Sequence, residues 1–91
     1  MKKKVVLGSE YDDGLRQAVM DCLSDLGATI DGRQWGLGGS QILETLKLSL
    51  GRDVIVVEAE TYVGLSVSGS ARLVDRVAAI VRERTGKARD E

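Results

Sequence analysis

The sequence predicts an α+β domain with two helices packed on one face of a mostly antiparallel sheet, in the order β-α-β-β-β-β-α. Three observations predict it. Residues 41–68 divide into strand-like segments with apolar side chains at a period near two, each ended by a tight turn. Residues 12–27 and 70–86 each carry an apolar stripe at helical spacing, between an N-cap residue and a glycine. The length, 91 residues, is enough for one small domain with a single core. Residues 1–86 are read as that domain and residues 87–91 as a loose tail.

The first strand is the short apolar run Val5, Val6 and Leu7, stopped by Gly8; the lysines before it blunt its end. Asp12 or Asp13 then caps a helix, because a carboxylate accepts from the free amides of the first turn. Leu15, Val19, Cys22, Leu23 and Leu26 form its stripe, and Gly27 ends it. Gly14, in the first turn, weakens that helix. In residues 28–37, Ala28 and Ile30 set one phase of alternation and Trp35 and Leu37 the other. A bulge at Gly32 would switch the phase within one kinked strand. Residues 36–40 read as a flexible turn. Ile42, Leu46, Leu48 and Leu50 then share one side of a strand, a pattern that Glu44 interrupts. Gly51-Arg52 is a two-residue hairpin turn. Residues 54–57 are continuous and rich in valine and isoleucine, a strong strand signal. The chain turns over 59–62, and Val63, Leu65 and Val67 alternate along the next strand. Ser70 caps the last helix, Leu73, Val74, Val77, Ile80 and Val81 form its stripe, and Gly86 stops it.

This order of elements resembles the half-repeat of the TATA-binding-protein-like fold and, more loosely, ferredoxin-like domains. The resemblance covers the whole chain in topology alone, so it implies a shape and no function.

Composition narrows the chemistry. The chain has no His, Pro or Phe, and its aromatics are Tyr11, Trp35 and Tyr62, so the core is aliphatic. The net charge is −1, without the positive field that draws proteins to nucleic acid. Residues 8–60 hold ten acids against four bases, whereas residues 70–91 hold six bases against four acids. These read as two solvated faces; the sharper reading is an acidic surface turned toward a partner. Arg72, Arg76, Arg82 and Arg84 could meet phosphates, but Asp75 and Glu83 interleave with them and no aromatic side chain stands between them. A single Cys, no signal-peptide pattern and no span of membrane length predict a cytoplasmic protein with no membrane contact.

No catalytic residue, metal site or cofactor is assigned. Without His, the Cys–His and Ser–His–Asp arrangements are excluded. Cys22 on an apolar stripe reads as a small buried hydrophobe. Capping explains Asp12 and Asp13, with Glu10 beside them. Glu58 and Glu60, two apart on a strand, share a face and read as its solvent side. Residues 36–40 are the one glycine-rich loop. A phosphate cradle there would use Gly36, Gly38, Gly39 and Ser40, with Arg33 or Arg52 meeting the anion, but a strand follows instead of a helix.

With both helices on one face, Leu46, Leu48, Leu50, Val63, Leu65 and Val67 point in, while Thr45, Lys47, Ser49, Tyr62 and Ser66 point out. If Ile55 and Val57 also point in, Val54, Val56, Glu58 and Glu60 join the open face, as an apolar strip beside two carboxylates. A DNA-binding face of the TATA-binding-protein type is expected to carry bases; this one is expected to carry acids. The expected function is therefore a non-catalytic module, of the inhibitor, immunity-like or regulatory-subunit kind. It would bind another protein, or itself as a homodimer, through Trp35, Val54, Val56, Glu58, Glu60 and Tyr62. The alternatives are a small ligand or anion at the 36–40 loop and weak nucleic-acid binding by the last helix.

Overall fold

A computed structural model describes residues 1–86; the expected tail at 87–91 lies outside the described residues. The elements are β1 (Lys2–Gly8), α1 (Asp13–Asp25), β2 (Thr29–Gly38), β3 (Gln41–Leu50), β4 (Asp53–Glu60), β5 (Gly64–Ser70) and α2 (Ala71–Thr85). They form the α+β arrangement that the pattern predicts. The sheet is antiparallel throughout and its spatial order is β1-β5-β4-β3-β2. Strands β2 to β5 meander, while β1 returns to pair with β5. The connection through α1 therefore crosses from one edge of the sheet to the other.

Local chemistry sets the boundaries. The Leu15 amide donates to Asp12 Oδ1 at 3.0 Å, so Asp12 is the cap of α1. The Leu73 amide donates to Ser70 Oγ at 3.4 Å at the start of α2. Gly51-Arg52 makes the two-residue turn between Leu50 and Asp53, which pair across it.

The expected phase switch is present in β2. The register against β3 shifts between Ile30 and Gly32, so Ile30 opposes Leu48, Arg33 opposes Leu46 and Trp35 opposes Glu44. The two phases of alternation are thereby brought onto one face. The turn after β2 is shorter than expected. Gly36, Leu37 and Gly38 belong to the strand, opposite Leu43, Ile42 and Gln41, and only Gly39 and Ser40 turn the chain. Gly39 has φ +61, which glycine reaches at the first central position of a two-residue hairpin without steric cost.

The core draws on three sources: Leu15, Val19, Cys22 and Leu23 from α1; Leu46, Leu48, Ile55, Val57, Leu65 and Val67 from the sheet; and Leu73, Val74, Val77 and Val81 from α2. Leu50 packs against its edge. Val63, expected to point in, is instead exposed. Strand β4 runs on to Glu60, the Val63 amide closes a turn onto the Glu60 carbonyl at 3.0 Å, and β5 begins only at Gly64.

Candidate functional site

Two helices, each about 10 Å across, cover roughly 20 Å of sheet, which is about four strands at about 4.8 Å spacing. This sheet has five. Helix α2 packs on β1 and β5 and α1 packs beside α2, so the strand left bare is β2. All ten of its residues are exposed. Its helix-side row holds Ile30, Arg33, Trp35 and Leu37, and β3 adds Ile42 opposite Leu37. Trp35 is 66% exposed, Leu37 63% and Ile42 42%. Together they make an apolar wing on the side of the sheet that the helices occupy.

Where the wing meets α1 there is a cavity of about 100 Å³ lined by Arg16, Met20, Arg33, Glu44, Leu46, Val57, Ala59 and Leu65. Its floor is aliphatic and its mouth is charged. Arg16 Nη1 donates to Glu44 Oε1 at 2.8 Å, and Arg16 Nη2 donates to the Glu10 carbonyl at 3.3 Å. Arg16 Nε is buried and makes no hydrogen bond among the described residues. Arg33 also lines the cavity and forms no ion pair among the described residues.

The sequence contains a signal for this cavity in Glu44. It interrupts the inward-facing apolar row of β3, and an acid in such a row requires a base. Arg16, one position beyond Leu15 on the α1 stripe, supplies it. The wing itself follows from the phase switch in β2, which sets Trp35 and Leu37 beside Ile42.

The six expected partner-binding residues fall in three places. Val54, Val56, Glu58 and Glu60 alternate with the buried Ile55 and Val57 and so face away from the helices, as expected. Trp35 is on the other face, because it opposes Glu44 in the row that continues to Ala59 and Leu65. Tyr62 is 79% exposed, in the β4–β5 turn rather than on a strand face. Its φ is +72, and its amide donates to Glu10 Oε2 at 3.1 Å.

The open face is also less acidic than the sequence implies. Lys4, Ser68, Val56 and Lys47 form one cross-strand row, and Val6, Ser66, Glu58, Thr45 and Gln34 form the next. Lys2 shares the phase of Lys4. Lys4 Nζ is 2.9 Å from Glu58 Oε1, and Ser49 Oγ donates to Asp31 Oδ2. The face therefore mixes both signs of charge, and Glu58 already has a partner. Strand β1 supplies two of its bases, and the place of β1 in the sheet is a long-range fact that local patterning does not contain.

Residues of the expected anion loop do not converge. Gly36 and Gly38 lie in β2 on the open-face phase, Gly39 and Ser40 turn at the hairpin tip, and Arg33 is on the helix side. No helix starts there, so no set of first-turn amides points at the loop. On α2, Arg84 pairs with Asp25 at 2.9 Å and Asp75 with Lys3 at 2.7 Å, while Arg72, Arg76 and Arg82 are exposed. The Cys22 thiol is fully buried, and burial pushes its pKa up from the ordinary 9.0, with Arg84 opposing the shift. Among the described residues no three His, Cys, Asp or Glu side chains group as metal ligands, and no helix is long and apolar enough to cross a membrane.

Comparison with protein-family models, with curated proteins and with solved structures finds no match.

Proposed function

We propose that this chain is a non-catalytic protein-binding module and that its contact surface is the wing formed by β2 and the β2–β3 hairpin. The observation that carries this reading is the bare β2 strand, which presents Ile30, Trp35 and Leu37 to solvent beside an edge that is unpaired among the described residues. An exposed aromatic anchor with aliphatic neighbours and a polar rim is the usual anatomy of a binding hot spot. The rim here is Arg33, Glu44 and Arg16. The open face carries the same kind of function less well, since Val54 and Val56 are half-buried and Glu58 is paired with Lys4. The buried, protonated Cys22 and the lack of histidine support the non-catalytic part of the reading. A single cysteine supports a reducing, cytoplasmic setting.

The test is affinity capture with the parent protein, with Trp35→Lys, and with Glu58→Lys/Glu60→Lys. A stoichiometric protein partner lost in Trp35→Lys alone supports the wing. Loss only in the Glu58/Glu60 variant moves the surface to the open face and overturns the assignment to the wing.

A second reading is favoured by one observation, the buried Arg16 Nε without a hydrogen-bond partner among the described residues, on a residue that lines an aliphatic cavity together with Arg33. It takes a short-chain carboxylate, with its tail in the cavity and its charge on the guanidinium groups. Such a ligand raises the melting temperature in proportion to ln(1 + [L]/Kd). A panel of short-chain carboxylates that leaves the melt unmoved excludes it.

A further inference from the structure

The two edges of the sheet are not alike. Strand β1 carries Lys2, Lys3 and Lys4 at three of its seven positions. Lysines along an edge repel a docking strand and keep the backbone solvated, a common protection against edge-to-edge pairing. Strand β2 has neither Lys nor Pro, and its only charges are Asp31 and Arg33. It is ten residues long, and its outer side pairs with no strand among the described residues. A chain with one protected edge and one open edge can extend its sheet only once. Pairing of open edges joins like to like and closes at two copies, without propagating into a fibre.

The side chains of β2 choose a register. In a continuous sheet the two-fold axis is perpendicular to the sheet and keeps each face on its own side, so the axis must pass beside a residue that pairs with itself. An axis at Arg33 sets two guanidinium groups against each other. An axis at Trp35 or Gly36 leaves Arg33 opposite Leu37 or Gly39. An axis at Gln34 sets Arg33 of each copy across from Trp35 of the other, twice, and Gly32 across from Gly36. Arg33 and Trp35 share the helix side and both are exposed; Arg33 has no ion pair among the described residues. A guanidinium over an indole face is a favourable contact that needs no counter-ion. A Cβ at Gly32 or Gly36 would meet nothing within 4 Å in this chain, so both positions are open on the face away from the helices.

We propose that β2 pairs antiparallel with β2 of a second copy of this chain about a two-fold axis at Gln34, joining the two sheets into one. This rests on the reading of the wing as a protein-binding surface and names its occupant. Helices of both copies then lie on the same side, and Ile30, Trp35 and Leu37 of each copy line a shared trough between them.

Sedimentation equilibrium of the full chain tests the proposal, with Trp35→Lys and Gln34→Cys as variants. The parent is expected at twice its 9.8 kDa mass. Trp35→Lys sets an ammonium group against Arg33 of the other copy in place of the indole. It is expected to weaken the dimer about tenfold or more, with an unchanged circular dichroism spectrum because Trp35 lies outside the core. Gln34→Cys places the new thiols at the axis and is expected to form a disulfide-linked dimer under mild oxidation. A Ser40→Cys control at the hairpin tip does not, and Cys22 is buried in both. A parent that stays monomeric at all concentrations overturns the proposal. A dimer that survives Trp35→Lys and does not cross-link through Gln34→Cys overturns it too. If the monomeric parent still captures another protein in a Trp35-dependent way, the wing remains a binding surface and only self-pairing falls. If it captures none, both readings fall together.

Discussion

Replacing Gly64 with alanine should strongly destabilise the fold, although the change adds a single methyl group. Gly64 opens β5 with φ +119, a backbone conformation that side-chain-bearing residues rarely adopt. A Cβ there would press into the carbonyl oxygen of Gly8, well inside contact distance, and would reach Val6 Cγ1 at 3.0 Å. The obstacle is backbone, so it cannot rotate aside. Relief requires moving the end of β1, where its register against β5 already shifts between Val6 and Gly8. Forcing alanine into the left-handed region costs about 1–2 kcal/mol, and overpacking a well-filled site adds about 1–3 kcal/mol. A loss of about 2–5 kcal/mol is expected, and at about 4–8 °C per kcal/mol for a domain of this size the melt should fall by roughly 8–40 °C. The comparison is Gly14→Ala, the same chemical change in the first turn of α1. There the new methyl's nearest neighbour is Asp12 Oδ1 at 3.5 Å, an ordinary contact. Better helix propensity should raise stability by about 0.5–1 kcal/mol. Both variants are followed by circular dichroism in thermal and urea melts. A Gly64→Ala melt within a few degrees of the parent would refute the claim that β1 and β5 are locked at this point.

Other expectations are smaller. A double-mutant cycle on Arg16→Met and Glu44→Gln should give a coupling of about 0.5–1 kcal/mol, since both side chains are more than a third exposed (39% and 35%) and water screens the pair; a coupling of zero would mean that the cavity mouth is not held by this contact. Breaking Lys4–Glu58 with Lys4→Gln should cost no more than about 1 kcal/mol and should lose its effect in 1 M salt, read by urea midpoints at the two ionic strengths. The raised Cys22 pKa makes stability fall on the alkaline side. Its contribution is complete below the ordinary 9.0 and is lost as pH rises from there through the higher folded value, because the unfolded chain releases the thiol proton first. Urea titrations at pH 8 and pH 10 should therefore show a larger alkaline loss in the parent than in Cys22→Ala, and equal losses would contradict it. The same burial predicts that a thiol reagent labels Cys22 only after denaturant is added.

Much of the fold is written in local patterns. The Ser70 and Asp12 caps, the Gly51-Arg52 turn and the outward phase of Val54 and Val56 each depend on residues within a few positions of one another, and such signals survive in a single sequence. The kink in β2 is of the same kind, since two runs of opposite phase on either side of a glycine admit few other solutions. What alternation does not carry is the identity of neighbours. It assigns each strand two faces, but it does not say that β1 lies beside β5, and this fact decides which edge the helices leave bare. Patterning alone therefore groups Trp35 with Val54 and Glu58 on one surface, whereas the sheet separates them by its full thickness. Val63 and Tyr62 depart from expectation for a smaller reason: the turn closes at Val63 rather than before it, which changes the surroundings of two residues while leaving the strand's later positions in phase.

The pairing of β1 with β5 also constrains the order in which structure can form. Strand β1 meets its partner roughly sixty residues later in the chain, and closing so long a loop is entropically expensive unless the far side already exists. The β2–β5 meander, by contrast, involves only short closures between sequence neighbours. Within this chain, β1 therefore has no sheet neighbour to pair with until β5 has been synthesised. Lys2, Lys3 and Lys4 stand directly before the apolar Val5-Val6-Leu7 segment, where flanking charges of this kind oppose aggregation of a strand that has yet to pair.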